Sequence, residues 1–257
     1  MSLIAFLKLL VYSPAGNGKT TILGTALNDD RLMPMLIIDF EGGVADAIGS
    51  IIQTIELNEL KILKPTIDKI YHLRVINWEE FQTIYDILDE TMFKTVAIDS
   101  LSEINFLNLY TVTNKNPQRR PILSQLKIPK IQDYGDSSFQ MSVLIRAFRD
   151  LECNFIATAG VSKTTSKLTG EDRLYPNMIG QFKEKIAHIF GQVGYLAIHP
   201  GDENIEAGTR ILIVKSREDL EAKFRDESRQ VEDMIIDPTL PKLLDRVNGI
   251  YMKEVLI

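Results

Sequence analysis

A chain of 257 residues, 45% hydrophobic and 25% charged, can bury a full core as one large domain without a second unit. Its net charge of -6 excludes a uniformly basic nucleic-acid binder, so any contact with a phosphate backbone must come from local clusters of Lys and Arg. The one cysteine, Cys153, excludes a disulfide framework or a cysteine metal cluster and fits a reducing cytoplasm.

In chain order, the apolar stretch from Leu3 to Tyr12 is broken by Lys8 and falls far short of the roughly 20 residues that span a bilayer. It runs straight into a glycine-containing loop, so Phe6 to Tyr12 is expected as a first strand and not a signal peptide. Lys19 to Leu27 follows as a helix, stopped by Asn28, Asp29 and Asp30. Met35 to Asp39 (MLIID) reads as a buried strand, and Glu41-Gly42-Gly43 after it reads as a tight turn. Leu73 to Ile76 is a third strand, and Trp78 to Glu90 places Phe81, Ile84, Tyr85 and Leu88 on one helical stripe. Thr95 to Asp99 (TVAID) is another β-branched run ending in an acid, followed by a helix over Ser100 to Val112.

Asn114 to Pro129 carries prolines and no period, so a long functional loop is expected there. Ser138 to Leu151 returns to helical spacing, Asn154 to Ala159 (NFIATA) is a strand, and Gly160 to Asn177 reads as a second polar, irregular loop. A helix over Phe182 to Phe190, strands over Val193 to Ile198 and Thr209 to Lys215, and a closing helix over Pro238 to Val247 complete the pattern. Leu220 to Phe224 is expected to pair with the Thr209 to Lys215 strand. Alternation of strands with helices implies an α/β fold with a mainly parallel central sheet and helices on both faces, with late strands added at one edge. The whole of 1–257 is expected as one domain, its edge strands and closing helix within about 205–257.

Ser13 to Thr20 reads SPAGNGKT and fits the phosphate-loop template GxxxxGK[S/T], except that Ser13 stands in the first glycine position. The chemistry follows from residue type. Gly16 and Gly18 let backbone N–H groups close around phosphates, Lys19 reaches the outer phosphates, and Thr20 offers a hydroxyl to magnesium. Pro14, Ala15, Asn17 and Thr21 complete the loop and the helix start, whose positive dipole end faces the anion. The expected ligands are therefore ATP and Mg2+.

Two carboxylates stand at strand ends. Asp99 has the placement of an acid that orders magnesium, although an Asp there also serves as the N-cap of the following helix. Glu41 lies just past MLIID, and the two glycines after it leave the backbone free to turn its carboxylate inward, where it can orient and deprotonate an attacking water. A solvated acid in a turn is the plainer account of Glu41.

The segments VYSPAGNGKTT, LIIDFEGG, TVAIDSLSE and FIATAG, in this order, resemble the RecA/RadA-type ATPase core, and the resemblance covers nearly the whole chain. It implies a RecA-like P-loop NTPase with Glu41 as catalytic base, Asp99 as the Walker B acid, and Thr158 as the polar residue that senses the terminal phosphate. The glutamine or histidine often found near that position is missing here. The small size, the EGG turn and the late AKFRD segment look most like phage-encoded minimal RecA-like ATPases, some of which act as single-strand annealing recombination proteins. That resemblance implies a basic pair reaching the nucleotide from a neighbouring protomer, with Lys223 and Arg225 in the matching positions and Lys215 and Arg217 as a second pair. It also implies single-stranded DNA as partner, further copies of the chain in a ring or filament, a single-strand DNA-binding protein, and the cytoplasm of a bacterial host, with no membrane.

In proteins of this type two loops line the DNA path. The matching segments here carry Lys115, Arg119, Arg120, Lys127 and the adjoining Lys130 in the first, and Lys163, Lys167 and Arg173 in the second, with Tyr134 and Tyr175 as stacking residues. The residues leave other activities open: a replication accessory ATPase such as a helicase or helicase loader, a small-molecule P-loop kinase with 114–129 as its lid, or a nucleotide-driven switch for a partner. His72, His188 and His199 are scattered over different elements and do not suggest a metal cluster. Trp78 reads as a helix anchor.

Overall fold

The structure is a computed structural model that describes residues 5–49, 51–88, 92–115, 126–165, 170–225 and 233–250. Its frame is a run of strands with interleaved helices. The first half contains β1 (Lys8–Tyr12), α1 (Lys19–Gly24), a 3-10 turn (Thr25–Asn28), β2 (Met35–Asp39), α2 (Val44–Ile48), β3 (Ile52–Ile55), α3 (Leu57–Leu60), β4 (Ile70–Arg74), α4 (Trp78–Ile87), β5 (Thr95–Asp99) and α5 (Leu101–Asn114). The second half contains α6 (Ile131–Asp150), β6 (Asn154–Ala159), β7 (Val161–Thr165), β8 (Asp172–Pro176), α7 (Phe182–Ile186), β9 (Gln192–Ile198), β10 (Arg210–Ile213), β11 (Lys223–Phe224), β12 (Met234–Ile236) and α8 (Leu240–Val247).

One sheet runs in the order β12-β10-β9-β1-β6-β5-β2-β4-β3, with β11 added beside β9. From β9 to β3 every pairing along this path is parallel, whereas β10, β11 and β12 pair antiparallel at the far side. This is the α/β class expected from the sequence, a mainly parallel sheet with helices on both faces. A strand's side chains alternate between faces, so each buried strand feeds two cores. Leu10 and Tyr12 of β1 with Leu36 and Ile38 of β2 pack against Phe81, Ile104, Met141 and Phe148 of α4, α5 and α6. Leu9, Val11, Met35 and Ile37 face the other way, onto Ile22 and Leu23 of α1 and Leu240, Leu243 and Leu244 of α8. Phe81, Phe148, Phe155 and Phe190 form a stacked column through the first core, with centroid spacings of 5.0, 5.9 and 5.5 Å. Such offset stacks add to area burial.

Several boundaries differ from expectation. Gly160 to Asn177 is not irregular: β7 and β8 form an antiparallel two-stranded sheet with five registered pairs, from Val161 opposite Pro176 to Thr165 opposite Asp172. Its side chains are mostly half-buried or exposed, so the hairpin has no apolar alternation to read. Leu220 to Phe224 does not pair with β10; Lys223 and Phe224 pair with Val193 and Gln192 of β9. α6 begins seven residues before Ser138, because Asp133 accepts a hydrogen bond from the Lys130 N–H at 2.7 Å and caps the new first turn. That turn exposes Ile131 and Tyr134, which hides it from a periodicity argument. α5 extends to Asn114, so the first residue of the expected 114–129 loop is helical; 116–125 lie outside the described residues. The strands β3 and β12 and the short helices α2 and α3 were not anticipated, and the third strand covers Ile70–Arg74 instead of starting at Leu73.

Candidate functional site

The phosphate loop joins β1 to α1 at the C-terminal end of the sheet. Gly16 has φ 83° and Gly18 has φ 97°, a left-handed backbone that L side chains rarely adopt, so glycine is required there. Ser13 is outside that region; it is fully buried, its N–H donates to the Ala159 carbonyl at 3.2 Å and its hydroxyl to the Pro14 carbonyl at 2.9 Å. A serine therefore fits the first template position without strain. The Lys19 amine donates to the carbonyls of Ser13 and Pro14, each at 3.2 Å. Burial lowers the pKa of Lys19, and the nearby carboxylates of Glu41 and Asp99 act to raise it.

Sheet register brings the acids to the loop. β6 lies between the phosphate-loop strand and β5, so Thr158 sits between Val11 on one side and the Asp99 strand on the other. The Thr20 hydroxyl donates to Asp99 Oδ2 at 2.8 Å, and the Thr158 hydroxyl donates to Oδ1 of the same carboxylate. Thr158 is fully buried and its hydroxyl is engaged with Asp99. Burial pushes the Asp99 pKa above its ordinary value; the two threonine hydroxyls oppose this, and the charges of Glu41 and Asp39 add to it. Asp99 does not cap α5 through its side chain; Ser100 occupies the N-cap position. The Ser100 hydroxyl instead donates to Glu41 Oε1, which draws the exposed glutamate toward Asp99.

Sequence reasoning passed over the group that holds the Glu41 turn. Asp39, paired in register with Asp99 on one side and Arg74 on the other, is fully buried. Its Oδ1 accepts the Gly42 N–H at 2.6 Å and lies 3.3 Å from Arg74 Nη1, while Oδ2 is 2.9 Å from His72 Nε2. Burial acts to raise the Asp39 pKa, but the bonds from His72 and Gly42 and the charge of Arg74 outweigh it and hold the carboxyl below its ordinary value. The signal was present, since MLIID ends in an acid as TVAID does.

The β7–β8 hairpin rises from the same sheet end. Ser102, in the first turn of α5, accepts the Gly160 N–H at 2.9 Å and donates to the Asn177 carbonyl at 2.8 Å, so one hydroxyl clips both feet of the hairpin. Within the hairpin, Lys163 is paired with Asp172 at 2.6 Å, and Arg173 with Glu221 at 2.6 Å while lying 5.6 Å from the Tyr175 ring. Lys115 caps α5, Lys127 donates its N–H to the Asn114 side chain at 3.0 Å, and Lys130 caps α6, all three exposed. Arg119, Arg120 and Lys167 lie outside the described residues. Lys223 and Arg225 are at the opposite end of the strands from the phosphate loop, opposite Gln192 and Val193 where β9 begins. Burial and the neighbouring Arg225 charge lower the Lys223 pKa. Lys215 is paired with Asp233 at 2.9 Å. Among the described residues no helix is long and apolar enough to cross a membrane.

A profile of the AAA domain family matches residues 5–225. Among solved structures, the chain is similar to the crystal structure of the RadB recombinase, at 15% sequence identity and a TM-score of 0.43 over 81% of each chain. No curated protein matches it. A match spanning 5–225 of 257 residues shows that the chain belongs to the AAA domain family.

Proposed function

We propose that this chain hydrolyses ATP, and that it binds single-stranded DNA and promotes annealing or strand pairing in recombination, as a homo-oligomer of the minimal phage-encoded type. The observation that supports hydrolysis is the convergence of Lys19, Thr20, Glu41 and Asp99 on one sheet end from three separate segments. Glu41 is the general base, steered by the Ser100 hydroxyl toward the space beside the phosphate loop. Lys19 exchanges its carbonyl partners for the outer phosphates, whose developing charge it neutralises. Thr20 and Asp99 fit magnesium: both offer hard oxygen donors, and a divalent ion relieves the cost of a buried carboxylate. Bound there, the ion would neutralise charge on the phosphates.

DNA contact is supported by the position of the hairpin and by the exposed Lys115, Lys127 and Lys130. Oligomer formation is supported by the placement of Lys223 and Arg225, which are too far around the sheet to serve the nucleotide of their own chain and are suited to a neighbour's. The test is an ATPase assay with and without single-stranded DNA, run beside annealing of complementary oligonucleotides. Glu41→Gln is expected to bind ATP while hydrolysis falls by about 100-fold or more. Wild-type turnover in Glu41→Gln would remove the base assignment, and strand unwinding without annealing would point to a helicase.

A further inference from the structure

Arg210 opens β10 opposite Ile198, at the sheet end that carries the phosphate loop. Its Nε donates to the Asn17 carbonyl at 3.1 Å. A Cβ built on Gly18 would lie 2.7 Å from Nε and 3.2 Å from Cζ, so the guanidinium rests directly on the backbone of the loop. The Asn17 side-chain amide donates to the Leu196 carbonyl at 3.1 Å, which ties the same residue to β9. In a trans peptide the C=O and N–H point in opposite directions. Holding the Asn17 oxygen outward therefore turns the Gly18 N–H inward, where loop amides cradle the inner phosphates. The guanidinium offers five donors, of which Nε serves Asn17.

We infer that Arg210 is a positioning residue for nucleotide binding, acting within its own chain: it sets the Asn17–Gly18 peptide and adds a cation beside the inner phosphates. The inference rests on the nucleotide-binding reading of the loop and goes beyond it, because no sequence template contains this residue. Lys19 serves the outer phosphates, whereas Arg210 serves groups common to ATP and ADP. Loss of Arg210 therefore weakens both nucleotides alike and shows in KM for ATP more than in kcat.

The experiment is calorimetric titration of wild type, Arg210→Gln and Arg210→Lys with Mg-ATP and Mg-ADP, with melting curves of the ligand-free proteins. Arg210→Gln is expected to bind both nucleotides about tenfold more weakly, at an unchanged melting temperature. Arg210→Lys keeps the charge without the planar fork and is expected to fall between the two. If Arg210→Gln melts early, Arg210→Lys decides alone: wild-type affinity for both nucleotides overturns the inference. Equal affinities for wild type and Arg210→Gln, or a loss confined to ATP, also overturn it. A wild-type protein that binds neither nucleotide overturns the nucleotide reading itself, a distinct result.

Discussion

Thr20 and Asp99, 79 positions apart in the chain, are joined by a 2.8 Å hydrogen bond from the threonine hydroxyl to Oδ2. Both oxygens belong to the set that suits magnesium. Thr20→Val is expected to raise the magnesium concentration needed for nucleotide binding by about tenfold or more, while metal-free binding changes little. Calorimetry across a magnesium series checks this; an unchanged midpoint in Thr20→Val removes Thr20 from the metal site.

The two buried acids at neighbouring strand ends should respond to pH with opposite sign. Asp99 is raised, so it favours the protonated fold: its stability contribution is greatest in acid and is lost as pH climbs from the unfolded value of about 3.9 through the higher folded value. Asp39 is depressed, so its contribution is present above about 3.9 and is lost as pH falls through the lower folded value. At neutral pH and without ligand, Asp99→Asn should therefore be more stable than wild type, by about 1 kcal/mol, and Asp39→Ala less stable, by about 3 kcal/mol. Urea unfolding at neutral and acid pH measures both. A destabilised Asp99→Asn at neutral pH contradicts the argument for that residue.

Gly16 and Gly18 share a left-handed backbone but differ in surroundings. Nothing lies within 4 Å of a Cβ at Gly16, whereas one at Gly18 strikes the Arg210 guanidinium. Gly16→Ala carries backbone strain alone, on the order of 1–2 kcal/mol. Gly18→Ala adds the displacement of Arg210 and is expected to lose nucleotide affinity the more severely of the two. Equal affinities for the two variants would mean that the Arg210 contact is dispensable.

How much of this was legible beforehand depended on what each feature answers to. β2, β5 and β6 were readable to the residue, because strands buried on both faces leave continuous apolar runs. The phosphate loop was readable because its backbone demands glycine at fixed spacing. Arg210 and Ser102 were not, since their partners at Asn17, Gly160 and Asn177 meet them only after the sheet has formed. The 160–177 hairpin stayed hidden for a different reason: it is held by backbone bonds and surface ion pairs, which impose no hydrophobic pattern.

Among the basic candidates, the structure separates those already paired from those facing solvent. Replacing Lys115, Lys127 and Lys130 together by Gln is expected to weaken single-stranded DNA binding and to reduce the slope of log affinity against log salt by about 2, at roughly 0.7 per phosphate contact. Lys163→Gln and Arg173→Gln should each change that slope by less, because Asp172 and Glu221 already neutralise them. Fluorescence anisotropy over a salt series reads both slopes, and a triple variant with the wild-type slope would place the DNA elsewhere.

The Ser102 hydroxyl accepts from one foot of the hairpin and donates to the other while sitting three residues after Asp99. A displacement of the first turn of α5 would therefore act on Gly160 and Asn177 through one shared hydroxyl. By thermodynamic reciprocity, a ligand whose binding shifts Gly160 and Asn177 is coupled to a ligand that shifts the first turn of α5 by the same free energy in either direction.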